Sequence, residues 1–426
     1  MTTGEKMTID ERRKYLRMMQ ARYQQGNRRS RGQLLSEMEA LTAMHRKSLI
    51  RLMNDSLVRR PRRGERGKTY GPDVDDALRV IDESLDGICA ERLTPNLVWM
   101  ACHLDRHGEL RVTSRLLQQL EDISISTVRR RLKRIRQDQP QLPRRKPRAN
   151  RGLLQGIPML RLPWDLAEPG HFETDLVHHC GPTAAGEYVC TLQMIDVATG
   201  WSERQAVLGR SYLVMEDAFR SILARLPFPV IEIHPDNGSE FLNHHMVRFW
   251  GELVQGVTLS RSRPFHKNDN PHVEQKNFTW VRAYLGYERL DTVAQTLAVN
   301  ALYSKMWLYH NLFQPVMHLV EKEIVQKDGE FTRVRRRYDN AATPFDRLCQ
   351  TTAILPGHRE ELEALRDSIN PRLLRLEIYD AIEQIRNLPC AEPGRTENVY
   401  LTLSNNGRNE KEALTNLVFK RTITQF

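Results

Sequence analysis

The pattern of hydrophobic and polar positions differs between the front and the middle of the chain. Hydrophobic residues of the front recur every three or four positions, as in TIDERRKYLRMMQARYQ, which predicts amphipathic helices. From His171 onward, β-branched and aromatic residues fall in three runs, HFETDLVHH, EYVCTLQMIDVATGW and SERQAVLG, and each run predicts a strand. A helix, a short strand ending in HPDNG, a second helix (SEFLNHHMVRFWGELV), another strand and a last helix follow. The predicted order of the middle region is therefore β-β-β-α-β-α-β-α.

The front of the chain predicts two successive helix-turn-helix units. Each unit ends in a basic helix, HRKSLIRLMND in the first and SISTVRRRLKRIR in the second, where Ser126 or Thr127 is the expected N-cap residue. The apolar stripe of such a helix packs on its bundle and leaves a basic face for the major groove. A helical bundle with a solvated basic face has the same outline, so both readings stay open. The DNA contacts expected on these helices are Arg46, Lys47, Arg51, Arg129, Arg130, Lys133 and Arg134.

Two stretches rich in Arg and Pro, RRPRRGERGKTYGP and QDQPQLPRRKPRANRG, lack an apolar period and predict linkers. Extended arginine-rich segments can follow phosphates or enter a minor groove, and a solvated hinge is the equal alternative. The DNA contacts expected within the linkers are Arg62, Arg63, Arg144, Arg145 and Lys146.

The last part of the chain predicts helices interrupted by a hairpin. AQTLAVNALYSKMWLYHNLFQPVMHLV is typical of one long helix, and Asp328-Gly329 is a strong turn signal between two strands. The second strand carries Arg333, Arg335, Arg336 and Arg337. This region is expected to assist DNA binding or subunit contacts, and the sequence does not decide between the two.

The net charge of +11 is distributed unevenly. Residues 1–150 carry 33 Lys and Arg against 19 Asp and Glu, whereas residues 151–300 carry 13 against 17. A basic front joined to an acidic middle predicts that one part binds a polyanion and the other binds cations. The sequence contains neither a long apolar run nor a signal-peptide pattern, and its six cysteines are scattered, so we expect a cytoplasmic protein with no membrane partner.

Three carboxylates fall at related places in the middle region. Asp175 lies within the first strand, Asp236 follows the fourth strand, and Glu274 lies in the first turn of the last helix. Three acids converging without basic partners require cations between them, and oxygen ligands suit Mg²⁺ or Mn²⁺. Two such ions, about 3.5–4 Å apart, can activate a water or hydroxyl and stabilise a leaving oxygen. The rival carboxylates are Glu173, on the same strand face as Asp175, Glu240 and Asp269.

These motifs resemble the DDE transposase and retroviral-integrase superfamily. ETDLVHHCG, HPDNGSEF and RSRPFHKNDNPHVEQKN stand in the order of that superfamily, and the 37 residues between Asp236 and Glu274 are close to its spacing. The resemblance covers about residues 160–290, and the front units resemble the DNA-end-binding regions of bacterial insertion-sequence transposases. It implies a ribonuclease-H-like core in which Asp175 bridges two Mg²⁺ (or Mn²⁺) ions while Asp236 and Glu274 each hold one. Lys276, beside Glu274, is a weaker candidate for a phosphate contact.

The resemblance also implies a fold class and partners. We expect a multidomain protein with α-helical helix-turn-helix units, an α/β ribonuclease-H-like core with a mixed sheet, and a mainly helical C-terminal region with a β-hairpin. Double-stranded DNA, as transposon ends and target, and a dimer or larger assembly of the chain are the expected partners. No zinc is expected, because Cys89, Cys102, His103 and His107 lack the paired spacing of a zinc site. The expected regions are a first helix-turn-helix unit at 1–58, a basic linker at 59–72, a second unit at 73–136, a basic linker at 137–160, the core at 161–292 and the C-terminal region at 293–426.

The function expected from the resemblance is DNA transposition. Such an enzyme binds the ends of an insertion sequence, hydrolyses a phosphodiester to free 3′-hydroxyl ends and joins them to target DNA. Two alternatives stay open: a ribonuclease-H-fold nuclease without joining activity, and a catalytically silent DNA-binding regulator derived from a transposase. Terminal inverted repeats and a short target duplication beside the gene would favour transposition over both.

Overall fold

The computed structural model describes residues 7–55, 69–136, 167–235, 241, 249–250, 254, 257–260, 271–327, 331–392 and 396–403. The chain divides into two compact units, Met1–Thr69 and Tyr70–Phe426. The six regions expected from the sequence, and their boundaries, stay a prediction. In the described residues, none of the helices is both long and apolar enough to cross a membrane.

Within residues 7–55, the first unit contains three helices. Thr8 begins the first one with a capping box, in which its side chain accepts from the Glu11 N–H and the Glu11 carboxylate accepts from the Thr8 N–H. A turn of three residues joins the second helix to the third, and Ala43 adopts a left-handed conformation there (φ 54°). The helices are α1 (Ile9–Gln25), α2 (Arg28–Thr42) and α3 (Arg46–Asn54), packed around Leu16, Tyr23, Leu35, Met38, Leu49 and Met53.

The second unit begins with helices that end in the basic helix expected from the sequence. That helix starts earlier than expected, because Ser124 is its N-cap and accepts from the Thr127 N–H; the expectation of Ser126 or Thr127 was wrong. Ser126 and Thr127 lie inside the first turn instead. The helices are α4 (Pro72–Ser84), α5 (Ala90–Leu93), a 3₁₀ turn (Thr94–Asn96), α6 (Leu97–Arg106), α7 (Ser114–Asp122) and α8 (Ile125–Ile135).

A mixed sheet follows, and its first three strands lie where the runs of β-branched and aromatic residues predict them. Its strands are β1 (His171–His178), β2 (Val189–Asp196), β3 (Ser202–Leu208), β4 (Glu232–Pro235) and β5 (Thr258–Leu259), with α9 (Tyr212–Leu223) between β3 and β4. Within the described residues the strand order is β3-β2-β1-β4-β5, with β1, β2 and β3 antiparallel and β4 and β5 parallel to β1. The adjacency of the first and fourth strands, expected for a ribonuclease-H-like core, is confirmed. The helix expected at SEFLNHHMVRFWGELV falls largely outside the described residues.

Helices and a hairpin complete the second unit. The long helix expected after Leu290 ends at Phe313, and Leu319 and Val320 belong to a strand instead. Pro315 explains the difference, because proline supplies no backbone N–H to continue a helix. The elements are α10 (Pro271–Lys276), a π-helical turn (Asn277–Arg282), α11 (Ala283–Leu285), α12 (Val293–Leu308), a π-helical turn (Tyr309–Phe313), β6 (Leu319–Lys327), β7 (Phe331–Tyr338), α13 (Pro344–Cys349), α14 (Pro356–Ser368), α15 (Pro371–Arg386) and a 3₁₀ turn (Val399–Thr402).

The outer edge of β3 is covered by side chains. Asn311 accepts from the Ser202 N–H (2.9 Å) and donates to the Ser202 carbonyl (3.0 Å), and Asn300 does the same at Ala206 (2.7 and 2.9 Å). Arg225 donates to the carbonyl between them, that of Arg204. The amide side chains therefore replace a sixth strand and protect this edge from pairing with another chain.

The helices before the sheet and the helices after it share one hydrophobic core with the sheet. Buried residues of α4 and α6 join the cluster that contains Phe172, Trp201 and Phe345. Polar contacts fasten the end of α4, where Tyr309 donates to the Ser84 carbonyl (2.8 Å) and Tyr379 donates to Asp86 (2.8 Å). The helices 72–135 are therefore an integral part of the second compact unit.

Candidate active site

The two acidic residues on one face of β1 have different surroundings. Glu173 is buried, and its Oε2 accepts from the backbone N–H of Val273 at 2.9 Å, so this carboxylate holds the first turn of α10 against the sheet. Asp175 is half-buried, and its Oδ2 accepts from Asn277 Nδ2 at 2.5 Å. The fixed structural contact of Glu173 leaves Asp175 as the better candidate for chemistry on this strand.

Helix α10 crosses β1 and carries Glu274. Pro271 opens the helix, where a missing N–H costs nothing. Val273 packs with Ile195, Trp280 and Val316 in a small hydrophobic cluster, which fixes the helix axis next to β2. The backbone of Glu274 therefore follows a residue that is buried against the sheet, although the side chain of Glu274 lies outside the described residues.

Strand β4 runs beside β1 and points toward the same edge. The ladder between β1 and β4 ends at the pair Thr174–Pro235. Asp175 is the next residue after Thr174, and position 236 is the next residue after Pro235. Asp236 itself, like its rivals Glu240 and Asp269, lies outside the described residues. The chain therefore leads directly from a strand paired with β1 into Asp236.

A polar network fixes the end of β4. Ser260 shares a hydrogen bond with His234 Nδ1 (2.6 Å) and donates to Glu232 (2.5 Å), and the other oxygen of Glu232 contacts His171 (2.9 Å). Burial raises the pKa of Glu232, but the hydrogen bonds from Ser260 and His171 outweigh it and the net pKa is lowered. An ionised Glu232 thus joins β4 to β1 and to β5.

His179, which directly follows β1, is not suited to proton transfer. His179 is fully buried, with Nε2 2.8 Å from the Thr191 hydroxyl. Burial, assisted by Arg282 and His178, lowers the pKa of His179 to about 3, so the ring stays neutral near pH 7. Its role is therefore structural.

A row of polar side chains crosses the sheet from Asp175. Gln193 of β2 is paired in register with Asp175, and Arg204 of β3 is paired with Gln193. Arg204 is buried between the rings of Trp280 and Tyr303, 5.4 and 5.7 Å from their centroids, and burial lowers its pKa to about 10. A buried cation therefore lies on the same face of the sheet as Asp175, two strands away.

Lys276 contacts the same Trp280 ring as Arg204. Its Nζ lies 3.5 Å from the centroid of the Trp280 ring, and the side chain is half-buried. Burial, together with Arg92 and Arg204, lowers the pKa of Lys276 well below its ordinary value. This position favours an internal contact over the phosphate contact expected from the sequence.

The basic helix α8 directs much of its charge to neighbouring helices. Arg129 pairs with Glu91 of α5, and Arg134 pairs with Asp75 of α4 at 2.6 Å. Arg130 and Lys133 are exposed and form no ion pair within the described part of the chain. The sequence could not indicate this division, because the acidic partners are distant along the chain.

The first unit presents the other described candidates for DNA binding. Lys47 and Arg51 are exposed on α3, whereas Arg46 donates to the Gly32 carbonyl and the Ser36 hydroxyl, both at 3.0 Å. The linker candidates Arg62, Arg63, Arg144, Arg145 and Lys146 lie outside the described residues.

The donor chemistry of the acidic triad fits a hard divalent cation, since its ligands are all carboxylate oxygens. Among the described side chains no three His, Cys, Asp or Glu residues are grouped to hold a metal, and two triad members fall outside that set. His103 and His107 are two of the four residues that lack the paired spacing of a zinc site. His103 contacts the backbone carbonyl of Ile369 (2.8 Å), and His107 contacts that of Asp367 (3.2 Å).

Comparisons with known proteins give a relative without an assigned activity. The uncharacterized protein y4rM of Sinorhizobium fredii (strain NBRC 101917 / NGR234) is 34% identical over 327 residues, which cover 76% of this chain and 91% of y4rM. No protein-family model matches the chain.

Two solved structures of viral integrases are also similar in part. The catalytic core domain of BIV integrase is 17% identical with a TM-score of 0.27, and covers 42% of this chain and 94% of its own. The HTLV-2 integrase catalytic core domain in complex with magnesium, in a dimeric form, is 17% identical with a TM-score of 0.26, and covers 35% of this chain and 90% of its own. Likenesses of this size carry no weight of their own, and the ribonuclease-H-like fold is indicated by the order and direction of the strands.

Proposed function

The chain belongs to the family of the uncharacterized protein y4rM, and we propose that it is a DNA transposase of the DDE type. It would bind the ends of an insertion sequence, hydrolyse a phosphodiester to free 3′-hydroxyl ends and join these ends to target DNA. One observation carries the proposal. The strand of Asp175, β1, pairs with the strand that leads into Asp236, and the carboxylates of Glu173 and Asp175 accept hydrogen bonds from Val273 and Asn277, which lie on either side of Glu274 in the sequence.

The residues of the site have separate tasks in this proposal. Asp175, Asp236 and Glu274 would hold two Mg²⁺ or Mn²⁺ ions. The chemistry that such ions supply is activation of a water or 3′-hydroxyl and stabilisation of the leaving oxygen. Asn277 orients Asp175 through its amide N–H, and Glu173 holds the helix that carries Glu274. Hydrolysis and joining are both in-line displacements at phosphorus, so one site can serve both.

The proposed partners are duplex DNA and further copies of the chain. Lys47 and Arg51 on α3, and Arg130 and Lys133 on α8, are exposed cations suited to phosphate contacts. Two DNA ends must be held at once, so we propose a dimer or a larger assembly on DNA.

A strand-transfer assay tests the proposal. Duplex oligonucleotides carrying the sequences that flank the gene would be incubated with Mg²⁺, a target duplex and the wild-type protein or single variants. We expect joined products from the wild type and none from Asp175→Asn, Asp236→Asn or Glu274→Gln, while binding of the duplex persists.

The control variants separate the assigned acids from other acids. Glu173→Gln keeps an oxygen that accepts from the Val273 N–H, so it should retain joining, and Glu360→Gln changes only an exposed acid on α14. Equal joining by the wild type and Asp236→Asn would show that the site is assigned wrongly. Cleavage without joining would favour a nuclease, and DNA binding without either reaction would favour a regulator.

A further inference from the structure

The hairpin of β6 and β7, here called the basic ribbon (Leu319–Lys327 and Phe331–Tyr338), is exposed on both faces at its described side chains beyond Leu319, which is half-buried. Val320 and Tyr338 are 57% and 48% exposed, and the side chains of Arg335 and Arg337 are 80% and 68% exposed. The two strands pair along their whole length, from Leu319–Tyr338 to Lys327–Phe331. Neither face of the ribbon packs its described, exposed side chains into a hydrophobic core. A long ribbon of this kind is therefore expected to bind a partner.

The base of the ribbon is held firmly. The His318 N–H donates to Asp339 Oδ1 (2.8 Å), and Arg347 donates to the other oxygen of Asp339 (2.7 Å) and to the Val316 carbonyl (3.0 Å). Val316 also pairs through its backbone with Ala342. These contacts fix the direction in which the ribbon leaves the second unit.

The same base lies beside the catalytic helix. Val316 packs with Val273 and Trp280, residues that flank Glu274 on either side in the sequence. A ligand held along the ribbon would therefore extend from the edge of the candidate active site.

The two faces of the ribbon differ in charge balance. On one face Arg337 pairs with Glu321 at 2.9 Å and Arg335 approaches Glu323 at 4.0 Å. On the opposite face Lys322 and Arg336 occupy directly opposed positions, and Arg336 forms no ion pair with any residue the structure describes. Like charges placed opposite each other are destabilising unless an anion lies between or above them.

We propose that the face bearing Lys322, Arg336 and Tyr338 binds the phosphates of duplex DNA. A two-stranded ribbon fits a major groove about 12 Å wide, and nine residues at about 3.3 Å each span about 30 Å. The proposal rests on the proposed function, because it assigns the ribbon to the DNA on which the enzyme acts.

Charge favours DNA over a second copy of the chain as the occupant. The second strand of the ribbon, β7, carries three arginines in succession, Arg335, Arg336 and Arg337. Charged edge strands disfavour pairing with another strand of the same charge, whereas phosphates are attracted to them.

Salt-dependent binding tests the proposal with a matched pair of variants. The full-length chain would be titrated with a fluorescent duplex of arbitrary sequence at several KCl concentrations, comparing Lys322→Ala/Arg336→Ala with the opposite-face variant Glu323→Ala/Arg335→Ala. We expect the slope of log K against log salt to fall by about 1.8 in the first variant, because each phosphate that a side chain neutralises contributes about 0.9 to the slope. The slope of the second variant should change by less than about 0.9.

Several outcomes would overturn the proposal. An unchanged slope in Lys322→Ala/Arg336→Ala, or equal reductions of the slope in both variants, would exclude a phosphate-binding face. A change in the molar mass measured by light scattering, without a change in DNA binding, would assign the ribbon to contacts between copies. Thermal melting of each variant shows whether the fold is intact, and a wild type that binds DNA through the ribbon but never joins it would reject only the proposed function.

Discussion

Removing the side chain of Asn277 is expected to impair chemistry through Asp175. The variant Asn277→Ala deletes the N–H that Asp175 Oδ2 accepts at 2.5 Å. A hydrogen bond to a charged group contributes about 1.5–3 kcal/mol. Loss of this hydrogen bond should raise the activation free energy of joining by the same amount. The rate of joining should then fall by about 10- to 150-fold, since about 1.4 kcal/mol corresponds to a factor of ten.

The Mg²⁺ dependence separates positioning from a loss of fold. Asn277 donates to Asp175, a proposed ligand of the metal, and loss of such a supporting hydrogen bond lowers metal affinity by about 10- to 100-fold. The Mg²⁺ concentration that gives half the maximal rate should therefore rise in Asn277→Ala. Single-turnover strand transfer, measured over a range of Mg²⁺ concentrations, gives both the rate and the metal dependence.

The control is Thr279→Ala in the same π-helical turn. The Thr279 hydroxyl donates to the backbone carbonyl of Gln275 (3.1 Å), within its own helical segment, so its removal should leave the rate and its Mg²⁺ dependence unchanged. Joining by Asn277→Ala at the wild-type rate, with an unchanged Mg²⁺ dependence, would refute the reasoning.

Two further predictions concern stability. Burial raises the pKa of Asp196 to about 6 despite its hydrogen bonds from Thr199 and Gly170. The contribution of Asp196 to the free energy of unfolding is therefore lost as pH rises from about 4 to about 6. Because Asp196→Asn cannot ionise, the variant should gain up to about 3 kcal/mol of stability relative to the wild type over that window. Urea unfolding on the acid side and on the neutral side of that window measures the difference, and a gap that does not change with pH would contradict it. Asn311→Ala should cost about 2–6 kcal/mol, because it leaves the buried N–H and carbonyl of Ser202 unpaired; chemical unfolding against wild type measures this, and a cost below about 1 kcal/mol would show that water replaces the amide.

The sequence by itself determined the local elements and their order. The first helix is fixed by its apolar period and the Thr8–Glu11 capping box, and the first three strands of the sheet by their runs of β-branched and aromatic residues. The pairing of β6 with β7 on either side of Asp328-Gly329, and the helix starting at Pro271, follow from turn and cap chemistry within a few residues. These features were predictable because each depends on neighbours in sequence.

Only the tertiary structure decided how the charged side chains are used. Arg129 and Arg134 pair with acids on α5 and α4, and Lys276 lies against Trp280 beside the distant Arg204. The basic pattern of α8 and the position of Lys276 gave no sign of these partners, since a charge run looks the same whether solvent, DNA or a carboxylate neutralises it. Periodicity puts Glu173 and Asp175 on one face, and the preference for Asp175 came from the resemblance. Only the tertiary structure shows that Glu173 accepts from the N–H of Val273, which is far away in the chain.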